Sequence, residues 1–137
     1  MKPMRDKVFV DSNVLLYLLG NDERKKDIAK IILKARPSIS AQVVSENVNV
    51  LLKKFTELTL KDISGHAKML SLYCTINTLN VSTIEKAFEI REKYHFQWYD
   101  CTILSAAILD GCTIIYSEDM QHGQLIENTL AIVNPFL

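Results

Sequence analysis

Four acidic residues, Asp11, Glu46, Asp100 and Asp119, lie in four separate stretches of the chain, each beside an apolar run. Carboxylates that converge raise one another's pKa and strain a fold, and a divalent cation removes that cost. A ligand set made only of oxygens suits Mg2+ or Mn2+, which bind through a few carboxylates and keep several waters. Such ions activate water and clamp a phosphoryl oxygen, so the chemistry that follows most directly is phosphodiester hydrolysis. Each acid also has a plainer role: Asp11 as a helix cap, Glu46 as a solvated helix acid, Asp100 as a charge favoured near a helix start, Asp119 as a turn residue. The joint reading depends on where the surrounding elements put them.

Residues 7–10 read as a first strand, ended by Asp11-Ser12-Asn13, with residues 14–19 continuing as a helix capped by Ser12 or Asn13. Residues 23–35 set Ile28, Ile31, Ile32 and Ala35 on one face of an amphipathic helix that Pro37 stops. Residues 38–40 are a very short second strand. After it, Val44, Val48 and Leu52 recur every fourth position, which favours a helix over residues 43–55. Thr59 with Asp62 resembles a capping box for a helix to about Tyr73, and residues 74–79 read as strand three. Ser82 to Glu85 reads as a second capping box, for a helix carrying Ile84, Ala87, Phe88 and Arg91. Residues 101–109 predict a central helix, apolar nearly all round, with Gly111 as its stop. Residues 113–116 and 130–133 are strands four and five.

Strands alternating with helices predict an α/β fold: a central, mostly parallel five-stranded sheet flanked by helices on both faces, in one domain over residues 1–137. Ligands of such sheets bind at the carboxyl ends of the strands. Asp11 ends strand one and Asp119 ends strand four. Asp100 opens the helix that leads back into strand four, and Glu46 lies early in the helix after strand two. All four are thereby predicted at one rim. Asp6 and Asp110 fall at the opposite rim, and Glu118 points away from its neighbour Asp119.

The chain has 137 residues, with 16 Lys+Arg against 16 Asp+Glu and no formal net charge. That excludes a broad basic surface as the source of affinity for a polyanion, which must be held by a local patch or a metal. With 48% hydrophobic residues and only 4 Gly and 3 Pro, the composition is globular. Cys74, Cys101 and Cys112 include no C-x-x-C pair, so no zinc knuckle or thioredoxin motif is available, and free thiols fit a reducing compartment. The charged N-terminus lacks a signal-peptide core, and no stretch approaches the ~18–20 apolar residues of a membrane span. The expectation is a cytoplasmic protein with no membrane partner. A receiver domain would need an Asp where Thr78-Leu79-Asn80 stands, and a haloacid-dehalogenase-like phosphatase would need one at Asn13. Glycine-rich phosphate loops are missing. A catalytically silent, partner-binding α/β domain stays open as the alternative.

Val-Phe-Val-Asp-Ser-Asn-Val-Leu (8–15), Ser-Glu (45–46), Trp-Tyr-Asp-Cys (98–101) and Ser-Glu-Asp-Met-Gln-His-Gly (117–123) resemble the PIN-domain nucleases, closest to the VapC-type toxins of prokaryotic toxin–antitoxin pairs. The resemblance spans nearly the whole chain. It implies a metal-dependent endoribonuclease, the toxin of a type II pair or a PIN nuclease that is not a toxin, with RNA as substrate. It implies that Asp11, Glu46, Asp100 and Asp119 are the catalytic, Mg2+- or Mn2+-binding acids. It further implies that Asn13 orients an acid or the substrate, that Ser117 hydrogen-bonds a carboxylate or a metal water, that the protein is a homodimer, and that a cognate antitoxin covers the acidic groove. His122 is read as a solvated loop residue, and His66 and His95 as incidental. Trp98 and Tyr99 are read as packing residues ahead of base-stacking ones. Lys25, Lys26, Lys30, Lys34 and Arg36, with Lys53 and Lys54, are either patches that guide RNA or antitoxin, or solvated faces.

Overall fold

Four of the strands have only three residues: β1 (Val8–Val10), β2 (Ser38–Ser40), β3 (Thr75–Asn77) and β4 (Ile114–Tyr116). Segments this short persist through pairing and burial, not propensity. In the computed structural model, which describes residues 6–137, Phe9, Ile39, Ile115 and Ile132 at the strand centres are wholly buried. The charged segment at residues 1–5 lies outside the described residues. The sheet order is β3-β2-β1-β4-β6-β5. Pairing is parallel from β3 through to β6 (Leu130–Val133), with Phe9 opposite Ile115 and Ile115 opposite Ile132.

The sheet has six strands, where five are expected from the sequence. The addition is β5 (Leu125–Ile126), antiparallel to β6. The turn between them carries Glu127 and Asn128 at φ 51° and 59°, with Thr129 N–H donating to the Ile126 carbonyl at 3.1 Å. Two left-handed residues make a hairpin turn whose twist suits the strands, usually written Asn-Gly. Here a glutamate occupies it, held by Lys86 at 2.6 Å and by the Tyr94 hydroxyl accepting its N–H at 2.7 Å.

The helices are α1 (Ser12–Leu16), followed by a 3-10 turn at Tyr17–Leu19, then α2 (Glu23–Lys34), α3 (Ala41–Lys54), α4 (Leu60–Tyr73), α5 (Val81–Tyr94) and α6 (Trp98–Leu109). From β1 to β2 to β3 the chain steps one way along the sheet, and from β3 to β4 it steps back. Right-handed crossovers then put α1–α4 on one face and α5–α6 on the other. The reversal falls between β1 and β4, the switch point at which open α/β sheets bind ligands. α6 is buried from Cys101 to Ala107, as its all-apolar sequence requires, and Gly111 ends it at φ 79°.

Several local readings shift. Asp11, not Ser12 or Asn13, caps α1. Asn80 with Thr83, not Ser82 with Glu85, forms the box that opens α5, because the chain turns helical two residues earlier than the Ser82 signal suggests. α6 starts at Trp98, so Asp100 is in its first turn. The α2 core face is Ala29, Ile32 and Leu33, while Ile31 is 68% exposed. In α3 the buried line is Val43, Asn47 and Leu51, one position before the apolar recurrence, and Leu52 is 53% exposed. Ile84 and Phe88 of α5 are likewise outward, with Thr83, Ala87 and Ile90 inward. The Thr59–Asp62 box is present.

Candidate active site

Asp11 follows β1, and its backbone N–H donates to the Tyr116 carbonyl at 2.9 Å, which ties the ends of β1 and β4 together. Its side chain is 4% exposed. One carboxylate oxygen caps α1 by accepting the Ser12 N–H at 2.7 Å. The other accepts the Ser117 hydroxyl at 2.9 Å and the Asn13 amide at 3.2 Å. Burial pushes the Asp11 pKa up to about 6, against those hydrogen bonds, and the charges of Asp100 and Glu46 push it the same way. Asp100, half-buried, is also raised, first by burial and then by the charges of Glu46 and Asp119. Four acids from four segments therefore sense one another at one rim.

Polar side chains separate them. Asn13 donates to Asp119 at 3.1 Å as well as to Asp11, and its oxygen accepts the Glu118 N–H at 3.1 Å. Ser12 donates to one oxygen of Glu46 at 2.9 Å, and Gln42 donates to the other at 2.9 Å. Ser117, fully buried, also accepts the Met120 N–H at 3.3 Å, which fixes the loop carrying Asp119. Depth grades from buried Asp11 through half-buried Glu46 and Asp100 to exposed Asp119. Among the described residues no three His, Cys, Asp or Glu side chains stand close enough to form a ready-made metal cage. The donors fit a hydrated hard cation, which needs only one or two direct carboxylates. No lysine or arginine among the described residues pairs with any of the four acids.

Glu118 does point away: Lys25 meets it at 2.5 Å and the Tyr17 hydroxyl donates to it. Lys25 is thereby withdrawn from any free basic patch. Trp98 packs on Phe88 with centroids 4.8 Å apart, as a packing residue should, but Tyr99 is 68% exposed. His122 is more than solvated, since its Nδ1 accepts the Asn134 N–H at 2.9 Å. His95 sits in the left-handed position that ends α5. His66 is not incidental. It is buried beneath the site, its pKa lowered by burial, and meets the Asn47 oxygen at 2.9 Å through Nε2. Asn47, wholly buried, donates to the Ser12 carbonyl at 3.0 Å. The signal for Asn47 was an amide on the inward line of a helix, hidden because the apolar recurrence lay one residue over.

Residues 8–125 match the PIN domain family. The chain belongs to that family. No curated protein matches the chain. Among solved structures, this PIN domain is similar to a toxin–antitoxin complex from Klebsiella pneumoniae, at 21% identity and TM-score 0.71, covering 94% of this chain and 98% of that one. It is similar to VapBC2 of Rickettsia felis bound to a promoter DNA fragment, at 14% identity and TM-score 0.69, covering 93% and 98%. It is also similar to VapC20 of Mycobacterium tuberculosis, a toxin that cleaves the sarcin-ricin loop, at 18% identity and TM-score 0.66, covering 82% and 90%. At these identities the likeness is one of fold. Among the described residues, no helix of this PIN domain is long and apolar enough to cross a membrane.

Proposed function

We propose that this PIN domain is a metal-dependent endoribonuclease, the toxin of a type II toxin–antitoxin pair. The carrying observation is Asp11: a buried carboxylate with its pKa raised to about 6, facing Glu46 and Asp100 with no cationic partner among the described residues. A protein keeps such an arrangement for a ligand that supplies positive charge. Asp11, Glu46, Asp100 and Asp119 would hold Mg2+ or Mn2+, and the all-oxygen donor set supports a hard cation. Such a cation, when bound, activates water and stabilises charge building on a phosphoryl oxygen.

The chain's own part is orientation. Ser117 and the Ser12 N–H hold the Asp11 carboxylate in one rotamer, and Asn13 sets Asp119 relative to Asp11. Glu46 and Asp100 are partly open to solvent, so they would reach an RNA phosphate group through the cation they help to hold, and either could take a proton from water. The toxin–antitoxin complexes among the similar structures support a cognate antitoxin as partner. Homodimerisation belongs to the same reading, and the exposed Val81 and Phe88 of α5 offer apolar surface for it. A reducing cytoplasm suits Cys74, Cys101 and Cys112, all buried and unpaired.

Protein freed of any antitoxin should cleave RNA in Mg2+ or Mn2+ and fall silent with chelator. Asp11→Asn should abolish cleavage with the fold intact by circular dichroism. Equal cleavage by that variant would refute the assignment of the acids. Absence of cleavage by the parent on any RNA would favour a silent, partner-binding domain.

A further inference from the structure

Glu46 is held from two sides, and only one of them belongs to the start of α1. Ser12 takes one carboxylate oxygen; the other accepts from the Gln42 amide, one helical turn earlier on α3. An i,i+4 amide–carboxylate pair on a helix is ordinary and weak. What sets this one apart is the far end of the amide. The Gln42 carbonyl oxygen accepts the hydroxyl of Thr102 at 2.7 Å, across the gap between α3 and α6. Thr102 is buried, and the same hydroxyl lies 2.7 Å from the Tyr99 carbonyl in the first turn of α6, the turn that carries Asp100.

The polarity of this link is fixed. The Glu46 carboxylate only accepts, so the amide must turn its nitrogen toward Glu46 and its oxygen toward Thr102. The Thr102 proton then serves the Gln42 and Tyr99 oxygens, both acceptors. A flipped amide would set its oxygen against the carboxylate. The link thus joins the helix bearing Glu46 to the turn bearing Asp100, two acids whose charges repel. Without it, Glu46 keeps only the Ser12 hydroxyl and is free to swing away from Asp100.

We propose that Gln42, locked by Thr102, is a positioning residue that fixes the Glu46 carboxylate relative to Asp100 for cation binding. This rests on the nuclease reading above, and the test separates the two. Mn2+ alone is titrated into the full-length parent, Gln42→Met, Thr102→Val and Thr102→Ser by calorimetry, beside metal-free melting curves and RNA cleavage. Gln42→Met keeps length without hydrogen bonds, Thr102→Val keeps shape without the hydroxyl, and Thr102→Ser restores it. Losing a group that orients a metal ligand weakens binding by about tenfold to a hundredfold. Gln42→Met and Thr102→Val should therefore bind Mn2+ about tenfold more weakly and lose kcat with KM for RNA unchanged, while Thr102→Ser matches the parent. Metal-free melting midpoints should stay within about 3 °C of the parent, so that lost affinity is not lost folding. Parent-like Mn2+ affinity in both Gln42→Met and Thr102→Val would overturn the positioning role and leave the nuclease reading standing. A parent that binds no Mn2+ would overturn both.

Discussion

Two ends of the same sheet treat aspartate in opposite ways. At the amino-terminal rim, burial acts to raise Asp110, but the Ser38 hydroxyl and the Lys7 ammonium outweigh it and hold its pKa below the usual value. Lys7 reaches the Asp110 carboxylate at 3.0 Å and its backbone carbonyl at 2.7 Å. At the carboxyl-terminal rim, Asp11 and Asp100 are both raised, and what faces them is more carboxylate. The two rims share residue type, backbone and core. They differ in whether the chain itself supplies the countercharge. An acid whose partner is built in is structural; an acid left without one marks a place where the partner comes from outside.

The sharpest way to break this contrast is a matched pair of amides. Asp100→Asn should cut RNA cleavage by at least about a hundredfold, as loss of a group at the reacting centre does, while Asp110→Asn stays within about twofold of the parent. Equal losses in the two would erase the distinction. Next in size is stabilisation by the missing countercharge. Mg2+ at about a hundred times its dissociation constant should stabilise the parent by about 2.7 kcal/mol, read as a rise in melting midpoint, and do nothing for Asp11→Asn.

The pH dependence of folding sharpens it further. The folded pKa of Asp11, about 6, lies above that of a free aspartate. The folded state therefore binds this proton more tightly, and the stability it contributes is present below about pH 4 and lost as pH rises through 6. Metal-free parent should gain of the order of 2 kcal/mol on Asp11→Asn between pH 7.5 and 4.5, measured by denaturant titration. His66, lowered by burial, works the other way below pH 6.5, but it is common to both proteins and cancels in the difference. The smallest effect belongs to the paired rim. Lys7→Met should cost under about 1 kcal/mol and vanish in high salt, because the Lys7 side chain is half exposed.

The placement of the acids at one rim was legible in the sequence because Asp11 and Asp119 follow strands, Asp100 opens a helix and Glu46 lies one turn into one, and those boundaries are written in local apolar runs. The strand order was not written locally, nor was the hairpin at β5: Glu127-Asn128 lacks the glycine that announces such a turn, and its geometry is imposed by Lys86 and Tyr94 from another helix. The supports of the site were hidden for the same reason. Gln42 looks like a surface helix residue until Thr102, sixty positions later, is set against it. Asn47 and His66 make sense only as a pair, buried between α3 and α4. Ile31 and Leu52 misled in the converse way: an apolar side chain at helical spacing need not face inward.

The Asp11 carboxylate opens α1 with one oxygen and ties Ser117 and Asn13 with the other, while Asp100 takes no hydrogen bond that lowers its pKa. That asymmetry constrains descent. A lineage that gives up cutting can discard position 100 without loosening its scaffold, but a change at position 11 that removes its side-chain oxygens also unpicks the junction between the 11–13 turn and Ser117. Inactive cousins of this protein should accordingly carry an eroded position 100 beside an aspartate still standing at 11.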